Sequence, residues 1–263
     1  MNLGGRTVLL TGASGGIGTA AARALAVRGA TVVLSGRRAA ELEALADELR
    51  GRAIVADLME PDGPERLVTE AGDVDVLVSN AGLPASGELS SFSIAEIDRA
   101  LAVNLRAPVV LARLLASQMA ERGEGHLVFV SSLSGKAASP QSSLYAAAKY
   151  GLRGFSLGLR QDLEEHGVGV SCVFPGIVRG AGMFADSGAV LPPGVGTSTP
   201  EDVARGIIRA IERNRAEVDV APLPLRAGAN VAGLVPGTAW AVQKRLGATG
   251  IARSIADGQR EKR

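Results

Sequence analysis

Tyr145 and Lys149 stand four residues apart near the start of a helical run, Ser143 to Glu165. On a helix that spacing puts both side chains on one face. A tyrosine with a pKa near 10 moves protons poorly at neutral pH until its phenolate is stabilised. A neighbouring ammonium does that, because opposite charge favours the ionised form. The pair is thus a candidate for acid–base work on an oxygen, although Tyr-x-x-x-Lys alone is common on protein surfaces. Two further groups single it out. Ser132 follows an apolar run, His126 to Ser131, and precedes Tyr145 by 13 residues. A serine at a strand's carboxyl end can reach a ligand beside the next helix. Asn104 lies in the helical stretch before that strand. Its amide either holds a water or bonds backbone at a helix irregularity.

These groups need a scaffold and something to act with. Thr11-Gly12-Ala13-Ser14-Gly15-Gly16-Ile17-Gly18 follows an apolar run, Thr7 to Leu10, and opens an alanine-rich run, Thr19 to Val27. The order is strand, glycine turn, helix. Glycine takes positive φ and lets backbone approach a ligand closely. The helix aims its free N–H groups and positive dipole end at the loop, which suits a phosphate. The placement between strand and helix makes this more than a glycine-rich turn.

Strand-like runs recur at Thr31–Ser35, Ala53–Val55, Asp75–Ser79, His126–Ser131, Val168–Phe174 and Glu217–Val220. Helical runs separate them: Ala39–Leu49, Pro64–Glu70, Ser93–Glu121 with Pro108 as an expected kink or break, Ser143–Glu165 and Thr199–Asn214. Thr199-Pro200-Glu201-Asp202 is a strong helix start, with a capping hydroxyl, an early proline and acids at the positive end. Strands that are apolar almost throughout imply a parallel sheet covered on both faces. The fold class is α/β, a doubly wound parallel sheet in one domain, with ligand at the carboxyl ends of the strands. Residues 1–220 form the catalytic unit, with a lid-length loop at 179–198. Residues 221–263 form a helical tail. Residues 222–246, uncharged between Arg226 and Lys244, are expected to pack on the body or a second subunit near the loop, with a surface-lying membrane contact as the lesser alternative. Asp257 to Arg263 are expected to fray.

The composition narrows the partners. A net charge of +1 offers no general attraction to nucleic acid or to an anionic membrane. One cysteine, Cys172, forms no internal disulfide. With two histidines, a protein-held metal is not expected. Hydrophobic content of 46% provides a large core. The segment before the first strand carries no secretory pattern, so a cytoplasmic location is expected.

Together these motifs resemble the short-chain dehydrogenase/reductase family, from about Arg6 to Gly176. The Thr-Gly-x-x-x-Gly-Ile-Gly loop, Asn80-Ala81-Gly82, Pro175-Gly176 and the set Asn104, Ser132, Tyr145 and Lys149 stand in the family's order. The resemblance implies a Rossmann-type sheet and an oxidoreductase interconverting a carbonyl and a secondary alcohol. Tyr145 would transfer the proton, Lys149 would lower its pKa and bond the nicotinamide ribose, Ser132 would hold the substrate oxygen and Asn104 would seat a relay water. The cofactor would lie on Gly12, Ser14, Gly16, Ile17 and Gly18. Asp57 and Leu58 would meet its adenine, and Asn80, Ala81 and Gly82 would follow it along the central strands. Pro175, Gly176 and Val178 would complete the nicotinamide end.

Gly36 stands where the family's NAD members tend to carry aspartate, and Arg37 and Arg38 follow it. That points to NADP(H), with Arg37 on the 2′-phosphate. Gly15 cuts the other way, since NADP members often carry a basic residue there. A second departure is Gly180, which replaces the threonine often found near the nicotinamide carboxamide. The residues Leu83, Pro84, Leu133, Val178, Met183 and Phe184 suggest an apolar carbonyl or alcohol substrate. A homodimer or homotetramer is expected. Two rival readings remain: a dinucleotide sensor without turnover, and an epimerase or dehydratase that retains its cofactor.

Overall fold

The computed structural model describes residues 1–189, 191, 195–237, 240–241 and 248–260. Its strands are β1 (Thr7–Thr11), β2 (Thr31–Gly36), β3 (Arg52–Val55), β4 (Val76–Ser79), β5 (Gly125–Val130), β6 (Val168–Pro175) and β7 (Glu217–Val220). They form one seven-stranded sheet in the order β3-β2-β1-β4-β5-β6-β7, every pairing parallel. The order runs outward from β1 on one side and from β4 on the other. The crevice for a ligand therefore opens at the carboxyl ends of β1 and β4.

Alternate residues along each strand serve opposite faces. Val8, Leu10, Leu34 and Val128 pack against α1 (Gly16–Val27), α2 (Ala39–Leu49) and the later helix Pro200–Glu212. Leu9, Leu77, Phe129 and Phe174 pack against α3 (Gly63–Ala71), the helix Ala107–Arg122 and the helix Ser143–Asp162. Every residue of β4, β5 and β6 is buried, as the apolar runs require.

The long region around Pro108 departs from expectation. α4 (Ile94–Leu101) begins at a capping box between Ser93 and Glu96. A π turn, Ala102–Arg106, then leads without a break into α5 (Ala107–Arg122). Pro108 closely follows the π turn, inside a continuous helical run where its ring and missing N–H disfavour a regular α turn. The irregularity lies just before the proline, in the turn that carries Asn104. This stretch is apolar enough to cross a membrane, but half of its most apolar window is buried in the core.

α6 (Ser143–Asp162) carries Tyr145 and Lys149. After β6 the expected long loop holds one short helix, α7 (Gly182–Ala185), and returns where Val178 bridges Ser198. α8 (Pro200–Glu212) starts at the Thr199–Asp202 capping box. The tail forms α9 (Leu223–Leu234) and α10 (Ala248–Gln259).

The first half of the tail does not pack on its own body, and the end of the second half is ordered where fraying was expected. α9 buries only Ala229, and Leu223, Val231 and Leu234 face outward. Its alanines and glycines leave little to insert into the body. Val242, part of the stretch expected to pack, lies outside the described residues. Asp257, Gly258 and Gln259 do not fray: they belong to α10, and Gln259 is buried with its Nε2 donating to the Met183 carbonyl at 2.9 Å.

His126 is buried at the start of β5 with Nε2 2.8 Å from Ser171 Oγ. Burial, with the N-terminal charge and Arg160 adding to it, pushes its pKa from 6.5 down to about 3. The folded ring stays neutral while the unfolded ring gains a proton below pH 6.5. Stability is therefore lost as pH falls from 6.5 towards 3, at about 1.4 kcal/mol per pH unit. Denaturant titrations of the protein and of His126→Gln at pH 7 and pH 5 should show the variant losing about 2 kcal/mol less over that interval.

Candidate active site

The crevice is held open by backbone. Thr11 Oγ1 accepts from the N–H groups of Asn80 and Ala81, both at 3.1 Å. Asn80 Nδ2 donates to the carbonyls of Thr11 and Gly12, both at 3.2 Å. β1 and β4 are thereby locked at the point where the sheet changes direction. Gly12 has φ +66, and a Cβ there would lie 2.8 Å from Ala81 Cα. A Cβ on Gly16 would lie 2.1 Å from the Ala181 side chain of the long loop. No side chain caps the start of α1, and no acid lies in its first turn. Its N–H groups and positive dipole end face the cleft, a site suited to a phosphate.

The cleft encloses about 1010 Å³. Gly12, Ser14, Gly16, Ile17, Gly18, Arg37 and Arg38 line one end. Asp57, Leu58, Asn80, Ala81 and Gly82 continue along the strand ends. Ser132, Tyr145, Lys149, Pro175, Gly176 and Val178 line the other half. Leu83, Pro84, Leu133, Met183 and Phe184 shape the apolar wall beside them.

Asn104 alone among the expected site residues does not line the cleft. It is 1% exposed. Its Nδ2 donates to Ala100 O at 2.9 Å and Leu83 O at 3.0 Å, and its Oδ1 accepts from Leu83 N–H at 3.2 Å. The structure shows this amide bonding backbone at a helix irregularity. It satisfies a carbonyl at the π turn and fixes the strand-end segment that forms the cleft wall.

Lys149 is 3% exposed, and its Nζ donates to Val130 O at 3.1 Å. The ammonium lies 5.6 Å from the centre of the Tyr145 ring. Gly82 makes room here: a Cβ on it would sit 3.0 Å from Asn104 Oδ1 and 3.9 Å from Lys149 Nζ. Burial pushes the Lys149 pKa down to about 8, with Cys172 acting weakly in the opposite direction. Burial also pushes the Tyr145 hydroxyl up to about 12, against a hydrogen bond with Ser132 that lowers it. Desolvation thus prevails on the tyrosine, and the group that opposes it is Ser132 rather than the expected Lys149. Ser132 Oγ also accepts from Ser134 N–H at 3.1 Å, which fixes its position at the end of β5.

The two arginines after β2 behave differently. Arg38 folds back on the glycine loop, bonding Ser14 Oγ at 3.3 Å and the Ser14 carbonyl, and pairs with Glu41 at 2.6 Å. Arg37 is solvent-facing, 3.9 Å from Asp57, a loose pair that leaves its guanidinium free to turn. Asp57 Oδ1 also accepts from Met59 N–H at 2.9 Å.

Sequence reasoning missed two features. Lys136, almost fully buried, pairs with Glu217 at 2.9 Å and Asp219 at 2.7 Å and lies 4.3 Å over the Phe174 ring. Arg153 of α6 joins Glu217 at 2.6 Å. This network ties the Ser132 turn and α6 to β6 and β7. Its members are scattered from 136 to 219, so no local spacing announces it. Arg99 of α4 also lines the substrate half, and its buried Nε has no hydrogen-bond partner. One cation therefore stands in a wall that sequence presents as largely apolar.

A doubly wound sheet with a bare helix start at its crevice and a Ser–Tyr–Lys cluster beside it defines a dinucleotide-binding oxidoreductase scaffold. The chain belongs to the short-chain dehydrogenase family, whose model, "short chain dehydrogenase", matches residues 6–190. It is 39% identical over 232 residues to "Ketoacyl reductase HetN" of Nostoc sp., covering 85% of this chain and 81% of that protein. It is 33% identical to a "Dehydrogenase/reductase SDR family protein 7-like" of Anopheles gambiae, covering 93% of this chain and 84% of that one. Among solved structures, a short-chain dehydrogenase from Sphingobium yanoikuyae in complex with NADPH superposes with a TM-score of 0.77. That pair is 29% identical, with 89% of this chain and 94% of the other covered.

The drop in the Lys149 pKa from 10.5 to about 8 corresponds to a penalty of roughly 3 kcal/mol on the buried ammonium. The penalty is complete below pH 8 and is relieved between pH 8 and 10.5 as the folded amine loses its proton. Lys149→Met should therefore stabilise the fold by about 1–3 kcal/mol at pH 7, after the lost bond to Val130 O is subtracted. Denaturant melts should show that gain shrinking towards pH 10, with turnover absent throughout.

Proposed function

We propose that the protein is an NADP(H)-dependent oxidoreductase that interconverts a carbonyl and a secondary alcohol. The observation that carries this reading is the convergence of the Ser132 and Tyr145 hydroxyls with the Lys149 ammonium in one cleft. The other end of that cleft is the uncapped start of α1 with Arg37 at its rim. The Gly12 turn, the bare N–H groups and the cleft's volume of about 1010 Å³ fit a dinucleotide. When bound, its nicotinamide supplies or accepts the hydride.

The chain's own residues then do the following. The Gly12–Gly18 loop and the start of α1 hold the diphosphate. Asp57 and Leu58 border the adenine. Gly82, Lys149, Pro175, Gly176 and Val178 border the nicotinamide half. Ser132 holds the substrate oxygen by its hydroxyl. Tyr145, protonated at neutral pH because burial raises its pKa, donates its Oη proton to that oxygen in reduction and takes it back in the reverse direction. Lys149, still cationic below about pH 8, opposes the negative charge left on the phenolate. Asn104 positions Leu83 and the cleft wall, with one acceptor site left on Oδ1.

The name of the Nostoc relative supports carbonyl reduction, and the Sphingobium complex supports NADPH. Apolar walls suit an apolar ketone, while Arg99 suits an acidic group elsewhere on the substrate. Ketones with and without a carboxylate, followed by NADPH absorbance, test both. A non-catalytic sensor would show no cofactor consumption, and an epimerase or dehydratase would turn over substrate without net consumption.

Tyr145→Phe removes the proton-transferring hydroxyl and little else. It should lower kcat by at least about a hundredfold while cofactor affinity, read by protein fluorescence, stays within about twofold. Retention of most of the rate would end the assignment.

Cofactor choice rests on Arg37, since Arg38 is engaged by Ser14 and Glu41. A charge-assisted bond to the 2′-phosphate contributes about 1.5–3 kcal/mol, or roughly ten- to a hundredfold. Arg37→Ala should raise KM for NADPH by that factor and leave KM for NADH nearly unchanged. Equal kcat/KM of the unaltered protein with both cofactors would refute it.

A further inference from the structure

α9 and the residues just after it carry an unusual concentration of large apolar side chains in water. Leu223 is 74% exposed, Val231 57%, Leu234 83%, Val235 46% and Trp240 61%. Burial of such surface is worth about 25 cal/mol per Å², so leaving it in water calls for an occupant. The charge pattern says which. The whole chain balances 28 basic residues with 27 acidic ones. Between Asp219 and Asp257, however, no acidic residue occurs, while Arg226, Lys244, Arg245 and Arg253 do. A segment that runs from Leu223 to Ala256 with basic but no acidic residues complements an anionic lipid surface.

The alternatives fit less well. α9 has 12 residues, about 18 Å of helix. That is too short to span a bilayer. A second copy of α9 would offer no acid to answer Arg226. A helix of this length also buries far less than the roughly 800 Å² per partner of a stable interface.

We infer that α9 seats the protein in the plane of an anionic membrane surface, with Leu223, Val231, Leu234 and Val235 at the headgroup level. The placement bears on the cleft. Leu225 of α9 and Ala252 and Ile255 of α10 line its substrate end. That end therefore opens beside the seated helix, and an apolar carbonyl compound dissolved in the bilayer is the substrate class it would receive. This last clause rests on the oxidoreductase reading; the membrane contact does not.

The test uses the full-length protein without cofactor. It is floated with vesicles of phosphatidylcholine alone and of phosphatidylcholine with about one third phosphatidylglycerol. Flotation with the anionic vesicles is expected, at least about tenfold weaker with the neutral ones and weakened by salt. The double variant Val231→Glu with Leu234→Glu should lose flotation while keeping its melting temperature and its turnover of a water-soluble ketone. Leu234→Ser alone serves if the double variant does not fold, and should bind several-fold more weakly. Absence of flotation with anionic vesicles, or flotation that these variants do not weaken, would overturn the inference. So would a dimer seen by light scattering that Leu234→Ser abolishes, which would assign the face to a second copy. A protein that floats but consumes no cofactor would sink the enzymatic reading and leave the membrane contact standing.

Discussion

A single buried ammonium sets most of the constraints around the cleft. Lys149 sits where water is excluded, so its charge must be met by fixed groups. Val130 O at the end of β5 meets it, and the Lys149 carbonyl in turn accepts from Ser131 Oγ at 3.1 Å. These two contacts join α6 to β5 at the level of Ser132. The space above the ammonium exists because residue 82 has no side chain. The wall beyond it is fixed because Asn104 spends both N–H donors on backbone. The site thus holds a charge at a cost to the fold, as reactive centres commonly do.

Order in the cleft comes from two clamps on either side of that charge. Thr11 and Asn80 hold the crevice between β1 and β4, where a phosphate-bearing ligand meets the chain. The ion network of Lys136, Arg153, Glu217 and Asp219 holds the Ser132 turn against β6 and β7. Desolvation and the cationic partners act in opposite directions on Glu217, and the partners prevail, keeping its pKa below the usual carboxylate range. Breaking such a network leaves an uncompensated buried charge. The Ser132 turn is therefore held as firmly as the strands.

Much of this was legible in the chain. Apolar runs such as Val76–Ser79 and Gly125–Val130 are buried on both sides, and their continuity gave the parallel sheet. The glycine loop, Ser132, Tyr145 and Lys149 are local motifs, and the fold brings them to one cleft. What escaped was non-local or collective. The partners of Lys136 lie about eighty residues further along. The π turn could not be distinguished from a proline kink, because periodicity does not register one extra residue in a turn. The exposure of α9 on its own body was not legible, because an uncharged composition marks burial, subunit contact and lipid contact alike. Gln259, in a polar terminal stretch, gave no signal of the carbonyl it bonds.

That last contact carries a kinetic consequence. Gln259 bonds the carbonyl of Met183, and a Cβ on Gly258 would lie only 1.9 Å from Ser187 O. α10 is therefore seated directly on the segment that borders the nicotinamide half of the cleft. For that segment to swing aside, α10 must lift with it or release it. Exchange of a bound molecule, where it requires that segment to move, is thereby tied to α10, whose Ala252, Ile255 and Gln259 also line the cleft.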